Sequence, residues 1–322
     1  MRVCVVGAGS WGTALALLLA RNGHSVDLVA HTDDHCDALR RDRENRQYLP
    51  GCRFPENITV LPKPLNDDPD FTLIAVPSAF VGEALRTIEP GVICLASKGL
   101  DPETGVVLSD LAEAIHPKAE IVAISGPNLA VEVARGIPTA AVAASHTEDA
   151  ALMIREALNG LSFRVYISDD LRGVELAGAL KNVYAIGAGI NDGLGFGDNT
   201  KGAFLSRGLA EMSRLGLALG ARMETFLGLS GVGDLFATAS SKLSRNYRVG
   251  FALGEGRSLD EAVNALGQVA EGVPTCEVAL QLAHKHGVNV PLMQVLHEFM
   301  HGHCNRDEAI RRLMERQTLR ES

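Results

Sequence analysis

Three parts of the sequence carry groups suited to chemistry on a phosphorylated ligand. The first is Gly7-x-Gly9-x-x-Gly12, which follows an apolar run and precedes an Ala- and Leu-rich run. The second is Lys181, which lies within an otherwise apolar stretch. The third, residues 231–246, combines hydroxyl, amide and cationic side chains with a single carboxylate.

The glycine motif predicts a strand, a tight turn and a helix that together bind a dinucleotide. Gly7 permits a sharp turn, Gly9 lets a pyrophosphate approach the main chain, and Gly12 lets the helix pack closely on the strand. Free N–H groups at the start of the helix, together with the helix dipole, attract the phosphate charge. The alternative is a glycine-rich turn in another kind of α/β protein.

The end of the second predicted strand, residues 25–30, is where the adenosine ribose of a dinucleotide binds. An acid there would bind the 2′-hydroxyl and select NAD, but the chain has Ala30-His31-Thr32 at this point. Without an acid the site favours NADP(H), with dual use open, and His31 could contact a 2′-phosphate. A solvated loop histidine is the alternative.

Lys181 shares one predicted helical face with Val174, Gly178 and Ala185. The small neighbours would let a ligand approach the amine closely. Desolvation and nearby cations would lower the pKa of the amine into a useful range for proton transfer. The alternative is a lysine whose aliphatic stem crosses the protein surface.

The polar segment 231–246 could bind a phosphate. Arg245 lies between Ser244 and Asn246, and its planar guanidinium suits phosphate oxygens. Asp234 could accept a hydrogen bond from a substrate hydroxyl or orient Lys181. A serine-rich loop that caps a helix is the alternative.

Two other kinds of site are not supported by the sequence. Residues 31–36 and 301–304 contain metal-ligand types, but neither segment has partners at zinc spacing elsewhere, so we expect no metal. No serine lies in a nucleophile elbow, which argues against serine hydrolysis.

The predicted secondary structure changes in character near residue 170. Before it, apolar runs alternate with helical stretches and predict a parallel sheet that is covered on both faces. The runs are residues 3–6, 25–30, 58–60, 71–76, 92–96, 121–124, 139–145 and 163–167. Ligands bind beyond the carboxyl ends of such strands, where Ser78, Lys98 and Asn128 fall.

After residue 170 helical periodicity dominates, from a long helix over residues 171–190 to a last helix over 306–317. Residues 191–201 are dense in glycine and read as a loop. We therefore predict two domains, residues 1–170 and 171–322. The first is a doubly wound α/β sheet of the Rossmann type and the second is all-α.

Composition limits the class of protein. The chain has 322 residues, of which 46% are apolar, so it can bury a large core. Its net charge of −9, with no block of like charge, argues against nucleic acid and anionic membranes as partners. We expect a cytoplasmic protein with reduced, buried thiols, because the six cysteines form no Cys-x-x-Cys pair and no signal peptide or membrane-length apolar run is present.

Motifs along nearly the whole chain resemble those of the bacterial-type NAD(P)-dependent sn-glycerol-3-phosphate dehydrogenases. They are GAGSWGTALA at 7–16, ASKGL at 96–100, SGPN at 125–128, LKNV at 180–183, GFGDNTK at 195–201, RGLAEM at 207–212, GVGDL at 231–235, SRN at 244–246 and EG at 271–272. His31 departs from the pattern, because the family usually has Arg there, and this weakens the inference of NADP(H).

The resemblance implies reversible hydride transfer that interconverts dihydroxyacetone phosphate and glycerol 3-phosphate, with NADP(H) and/or NAD(H), for phospholipid synthesis. It implies a C-terminal domain like that of 6-phosphogluconate dehydrogenase, a small-molecule substrate and a homodimer formed through the helical half.

The same resemblance implies a role for individual residues. Lys181 is the implied general acid and base. The implied substrate-binding residues are Lys98, Gly126, Asn128, Asp234, Thr238, Ser244, Arg245 and Asn246. The implied cofactor-binding residues are Gly7, Gly9, Ser10, Trp11, Gly12, His31, Lys98, Ala130, Arg245, Val269 and Glu271.

Two other functions stay open at this point. A 3-hydroxyacid or 6-phosphogluconate-type dehydrogenase would also use a lysine on the helix between the domains, although the polar segments 231–234 and 244–246 argue against it. A dinucleotide sensor without catalysis is the second, because a fold alone does not determine function. The presence of Lys98, Lys181, Asp234 and Arg245 argues against the sensor.

Overall fold

A computed structural model describes residues 1–65 and 68–314 of the chain. Its strands form one sheet in the order β3-β2-β1-β4-β5-β6-β7-β8. The strands are β1 Arg2–Val6, β2 Ser25–Val29, β3 Ile58–Leu61, β4 Phe71–Ile74, β5 Val92–Leu95, β6 Glu120–Ser125, β7 Thr139–Ser145 and β8 Phe163–Ser168. Each of the apolar runs predicted as strands is therefore a strand.

The helices of the first half cover this sheet. They are α1 Ser10–Arg21, α2 Asp33–Asp42, α3 Val81–Leu85, α4 Leu108–Ile115, α5 Ala130–Ala134 and α6 Glu148–Leu158, with a 3₁₀ turn at Ser78–Phe80. Strands β1 and β4 are neighbours, and the strand order runs outward from them in opposite directions, through β2 and β3 on one side and through β5 to β8 on the other. Such a switch point opens a crevice at the carboxyl ends of the strands.

The last two strands differ from the prediction of a parallel sheet. The first six strands run in one direction, but β7 is antiparallel to β6, with Ile124 opposite Ala143, and β8 is parallel to β7. Helix α5 follows β6 and packs on α1, so the chain re-enters the sheet from the end at which β6 left it.

The second half is built from helices, and its described part, up to residue 314, contains no strand. They are α7 Leu171–Gly193, α8 Asp198–Ala218, α9 Met223–Leu227, α10 Asp234–Ala239, α11 Arg245–Gly254, α12 Leu259–Leu266, α13 Gly272–Lys285, α14 Pro291–Met300 and α15 Arg306–Met314, with a π-helical turn at Leu229–Gly233. The predicted end of the last helix, residues 315–317, lies outside the described residues.

Helix α7 is the element on which both halves pack. It contacts β6 and β7 on one side and α8, α10, α11 and α13 on the other, so nearly all of its residues are buried. A helix that is apolar all round is expected in such a place. Asp170 caps its start by accepting a hydrogen bond from the Gly173 N–H at 3.1 Å.

Glycines hold α7 and α11 in close contact. A Cβ on Gly189 would lie 2.1 Å from the Tyr247 carbonyl oxygen, and a Cβ on Gly250 would lie 1.9 Å from the Ile186 carbonyl oxygen. The separation of two packed helices depends on the side chains at the contact, so these glycines allow the backbones to approach. The prediction of a loop over 191–201 is wrong for most of that segment, because α7 continues to Gly193 and α8 begins at Asp198.

No helix in the described ranges has the length and apolar character that crossing a membrane requires. Five of the six cysteines are buried, and the sixth, Cys52, is half-buried. Cys94 lies at the centre of β5, where burial raises the pKa of its thiol well above the usual range. These side chains therefore serve as small apolar groups in the core.

Candidate active site

A cleft of about 1110 Å³ lies between the carboxyl ends of the strands and the helical half. It is large enough to hold a dinucleotide and a small second ligand. Predicted site residues that line it are Gly7, Gly9, Ser10, Trp11, His31, Lys98, Asn128, Ala130, Lys181, Thr238, Ser244, Arg245, Asn246, Val269 and Glu271. Gly12, Gly126 and Asp234 lie behind this wall and support it.

The three glycines of the N-terminal motif each do what the sequence predicts. Gly7 has a φ of +112°, and a Cβ there would lie 2.8 Å from the Ala75 carbonyl group. A Cβ on Gly12 would lie 1.9 Å from the Gly7 carbonyl oxygen. A Cβ on Gly9, in contrast, would meet no protein atom within 4 Å. Gly9 therefore faces open cleft, which leaves room for a pyrophosphate against the backbone.

The start of α1 is suited to an anion. Ser10 begins the helix, and its first turn carries no acidic side chain. The Trp11 indole N–H donates a hydrogen bond to the Ala96 carbonyl oxygen at 3.1 Å, which ties α1 to the end of β5. The unpaired N–H groups and the helix dipole attract negative charge to this place. These residues fit the phosphates of a dinucleotide.

The far end of the cleft carries two groups that suit a 2′-phosphate. His31 is exposed at the end of β2, and its ring centroid lies 6.5 Å from that of Phe80. Lys63 lines the same cleft just beyond β3, which pairs with β2. Sequence reasoning missed Lys63, although the expected neighbourhood of β2 and β3 could have pointed to it.

Asp234 joins the buried Lys181 to the partly buried Lys98 in the same cleft. Its Oδ1 accepts a hydrogen bond from Lys181 Nζ at 3.1 Å and its Oδ2 accepts one from Lys98 Nζ at 2.7 Å. The Asp234 side chain is 2% exposed and that of Lys181 is 7% exposed. Thr238 lies one turn after Asp234 on α10 and accepts from Lys181 Nζ at 2.7 Å.

Burial sets the charges of this cluster. It lowers the pKa of Lys181 to about 8. Repulsion from Lys98 and Arg245 also lowers this pKa, whereas attraction to Asp234 raises it. Burial alone would raise the pKa of Asp234, but the two lysines hold that pKa below its usual value. The alternative of a surface lysine is thus wrong for Lys181. Its amine is tuned to gain and lose a proton close to neutral pH.

The prediction that Gly178 lets a ligand approach Lys181 is wrong. A Cβ on Gly178 would lie 2.6 Å from Ser125 Oγ at the end of β6. The small residue therefore lets α7 pack against the sheet, and it does not serve to admit a ligand. This close packing helps place Lys181, one turn further along α7, at the end of the strands.

Arg245 is a cation without a hydrogen-bonded partner in residues 1–65 and 68–314. Burial lowers the pKa of its guanidinium, and Glu271 is the acid whose charge opposes that shift. Ser244 caps α11, since its Oγ accepts from the Tyr247 N–H at 3.2 Å. The cap interpretation is thus correct for Ser244, while Arg245 in the first turn of α11 is left facing the cleft.

Asn182 connects the two sides of the cleft and was given no role by the sequence analysis. Its Nδ2 donates to the Lys98 carbonyl oxygen at 3.0 Å, and its Oδ1 accepts from Asn246 Nδ2 at 2.8 Å. Asn246 Oδ1 in turn accepts from the Gly272 N–H at 2.9 Å. The position of Asn182 directly after Lys181 was the signal available in the sequence.

Glu271 also ties the two halves together. Its Oε1 accepts from the Ser78 N–H at 2.9 Å and its Oε2 accepts from Ser78 Oγ at 2.6 Å. Burial raises the pKa of Glu271, and the bonds from Ser78 oppose that shift. The carboxylate therefore joins the turn after β4 to the start of α13.

The loop after β6 accepts a hydrogen bond from Lys98. Gly126 has a φ of +150°, and its carbonyl oxygen accepts from Lys98 Nζ at 2.8 Å. Asn128 Nδ2 donates to the Ala140 carbonyl oxygen at 2.9 Å, while its buried Oδ1 has no partner among the described residues. An orphaned buried acceptor in the cleft wall is suited to a ligand's hydroxyl group.

The fold and the site together define a two-part oxidoreductase of the dinucleotide-binding type, with a glycine turn after β1 and a lysine–aspartate cluster that both halves contribute to. Comparison with known proteins gives the family. The model for the N-terminus of NAD-dependent glycerol-3-phosphate dehydrogenase matches residues 2–151, and the model for its C-terminus matches residues 170–311. The chain belongs to the NAD-dependent glycerol-3-phosphate dehydrogenase family.

Individual relatives agree with this assignment. Glycerol-3-phosphate dehydrogenase (NAD(P)+) of Chlorobium phaeobacteroides is 44% identical, across 100% of this chain and 99% of its own. The protein of the same name from Edwardsiella ictaluri is 44% identical over 98% of this chain and 96% of its own. The crystal structure of glycerol-3-phosphate dehydrogenase from Coxiella burnetii superposes with a TM-score of 0.93 at 39% identity, over 98% and 99% of the two chains.

Proposed function

We propose that this chain reduces dihydroxyacetone phosphate to sn-glycerol 3-phosphate with NADPH or NADH, and catalyses the reverse reaction. The observation that carries the proposal is the Lys98–Asp234–Lys181 cluster, whose two lysines line the same cleft as the glycine motif. A glycerol 3-phosphate supply of this kind serves phospholipid synthesis, which is the role we assign to the protein.

Lys181 acts as the general acid for the ketone. An ammonium group has three N–H donors, and two of those on Lys181 are engaged by Asp234 and Thr238. The third is left for the C2 oxygen of the substrate. In the reduction Lys181 gives that oxygen its proton, and in alcohol oxidation the neutral amine takes the proton back.

Lys98 polarises the same oxygen without transferring a proton. Two of its N–H donors are engaged by Gly126 and Asp234, so one remains for the substrate. A fixed cation beside the carbonyl oxygen stabilises the negative charge that develops there in the transition state. When bound, the reduced nicotinamide supplies the hydride for C2.

Arg245 binds the phosphate of the substrate. Its guanidinium faces the cleft without a hydrogen-bonded partner in the described part of the chain, and it lies at the start of α11. A planar fork and a helix N-terminus both suit phosphate oxygens. Asn246 and Thr238 complete the polar wall, and Asn128 offers an acceptor for the substrate hydroxyl.

The cofactor residues are those that line the other end of the cleft. Gly7, Gly9, Ser10 and Trp11 surround the place for the pyrophosphate, with Gly12 supporting the turn. His31 and Lys63 favour NADPH over NADH, because both suit the negative charge of a 2′-phosphate. The cleft wall is completed by Ala130 and Val269, and Glu271 keeps its place through Ser78.

We also propose a division into two domains at residue 170, with residues 1–170 binding the cofactor and residues 171–322 carrying the catalytic lysine. Strand β8 ends at Ser168 and α7 begins at Leu171, which supports this division. A homodimer formed through the helical half and a cytoplasmic location complete the proposal. Sedimentation velocity tests the dimer, since a mass near 34.2 kDa would exclude it.

Steady-state oxidation of NADPH and NADH, each with dihydroxyacetone phosphate, tests the proposed activity. We expect turnover with both cofactors and a higher kcat/KM for NADPH. A 3-ketoacid without a phosphate serves as the control substrate, because it cannot use Arg245. Turnover of that ketoacid alone would favour the related 3-hydroxyacid dehydrogenases, and binding of NADPH without turnover of either substrate would favour a dinucleotide sensor.

A further inference from the structure

A cluster of three potential metal ligands lies on the helical half, outside the cleft. Glu277 projects from α13, while His297 and His301 lie one turn apart at the end of α14. One ligand atom from each side chain lies within 4.8 Å of those of the other two. None of the three lines the cleft, so the proposed dehydrogenase reaction does not explain them.

The His301 ring is held in the tautomer that a metal ligand needs. Its Nδ1 lies 2.8 Å from the His297 carbonyl oxygen. A carbonyl oxygen can only accept, so Nδ1 carries a hydrogen, and in the neutral ring the lone pair is on Nε2. Metal-bound histidines typically donate their second ring N–H to such an oxygen. The free Nε2 lies 3.6 Å from Glu277 Oε1.

The second histidine is placed beside the first. The ring centroids of His297 and His301 are 4.4 Å apart. One ring nitrogen of each histidine lies within 4.8 Å of the other and of a Glu277 carboxylate oxygen. A simple ion pair between Glu277 and His301 would not require the second ring.

We propose that Glu277, His297 and His301 bind one Zn²⁺ ion, with water in the fourth position. Nitrogen and carboxylate oxygen ligands at zinc lie about 2.0–2.2 Å from the metal, so ligand atoms in a tetrahedral site lie roughly 3.4 Å apart. The Glu277–His301 separation of 3.6 Å already matches this spacing. The His297 ligand atom lies within 4.8 Å of the other two, so binding requires it to move closer to them.

The positions of the ligands in the fold indicate a structural role for the ion. They come from two helices that pack on each other, so the ion would clip α13 to α14. Cys304 stands close in the sequence but is not a ligand here, because its thiol is buried against the Val295 carbonyl oxygen. The sequence segment 301–304 thus contains one ligand, His301, and its partners lie one helical turn earlier and on another helix.

Isothermal titration of Zn²⁺ into the metal-free full-length chain, prepared without a histidine tag, tests the site. We expect one ion per chain in the wild type. Because each substitution removes a direct ligand, His297→Ala and His301→Ala should weaken binding by more than the roughly 10–100-fold that loss of an outer-shell partner costs, and Glu277→Gln should also weaken it. Zn²⁺ should raise the Tm of the wild type and not that of the two histidine variants.

Two control variants separate this site from adventitious binding. His284→Ala removes an exposed histidine from the end of α13, and Cys52→Ser removes the partly exposed thiol. Both should bind Zn²⁺ as the wild type does. Equal binding by the wild type and both histidine variants, or loss of binding in a control variant alone, would overturn the proposal. Turnover of dihydroxyacetone phosphate by the metal-free variants reports that they are folded.

Discussion

The carboxylate of Asp234 sets the proton affinity of Lys181, and Asp234→Asn should change it in a direction the structure fixes. Burial lowers the pKa of Lys181, and Asp234 is the group that raises it again, leaving it at about 8. Lys98 and Arg245 repel the Lys181 ammonium and remain in the variant. Without the carboxylate, the pKa of Lys181 must therefore fall.

The size of the fall follows from the distance. Opposite unit charges 3.1 Å apart attract by about 5 kcal/mol at an effective dielectric constant of 20. One pKa unit corresponds to ~1.36 kcal/mol, so complete loss of the attraction would amount to roughly 4 units. The asparagine keeps a dipole and water can enter, so we expect about half of this, a fall of roughly 2 units.

The pH dependence of kcat/KM in both directions measures this shift. Ketone reduction needs the ammonium form, so wild-type activity should fall as the pH rises through about 8, whereas alcohol oxidation should rise over the same interval. Asp234→Asn should move both limbs by roughly 2 units toward lower pH. Thr238→Val, which removes a hydrogen bond and keeps the charge, should move them less.

If Asp234→Asn binds NADPH normally and its kcat/KM keeps the wild-type pH dependence, or shifts it to higher pH, Asp234 does not raise the pKa of Lys181. NADPH binding, followed by fluorescence, shows that the variant is folded. If Asp234→Asn does not fold, the Thr238→Val profile carries the test alone. Thr238 Oγ1 accepts from Lys181 at 2.7 Å, so its loss must also lower the pKa of the amine.

Three further predictions concern the cofactor site and stability. Gly9→Ala should keep the wild-type Tm and weaken NADPH binding at least ~10-fold, because its Cβ points into open cleft. Gly12→Ala should instead lower the Tm, because its Cβ would meet the Gly7 carbonyl oxygen. Unchanged NADPH binding by Gly9→Ala would contradict this prediction. Lys63→Ala should raise the KM for NADPH about tenfold and leave that for NADH unchanged, since the lost contact is to the 2′-phosphate, and an equal rise for both cofactors would be the contrary result. Burial raises the pKa of Glu175 to about 7 from 4.5, so the folded state binds its proton more tightly and stability is lost as the pH rises through that interval. Glu175→Gln should therefore raise the free energy of unfolding by up to ~3 kcal/mol at about pH 8 and by little at about pH 5. Urea unfolding that shows no such pH dependence would refute this prediction.

The fold could be predicted from the sequence where one local pattern decides the structure. Each strand is a short apolar run, and the glycine motif has one physical explanation for each glycine, so both were predicted correctly. The direction of β7 could not be predicted, because it depends on where α5 packs on α1, a contact between residues far apart in the chain. Gly193 looks like a helix breaker in isolation, and only the close approach of α11 explains why the helix continues to it.

The site was predicted as a set of residue types, while its geometry was not. Residue spacing places Asp234 and Thr238 on one helical face, and it does not reveal that Asp234 contacts Lys98 as well as Lys181. The roles of Ser78 and Asn182 depend on contacts across the cleft, and no local pattern marks such contacts. The proposed zinc ligands come from two helices, so a search for short motifs does not find them for the same reason.

The turnover of Lys181→Ala with NADPH and dihydroxyacetone phosphate, followed by NADPH absorbance, tests whether Lys181 transfers the proton. Loss of the general acid should lower kcat by about 10²–10⁴-fold. The dissociation constant for NADPH should stay near that of the wild type, because the glycine motif and α1 are untouched. A variant that binds NADPH and retains near wild-type turnover would contradict the assignment of Lys181 as the proton-transfer group.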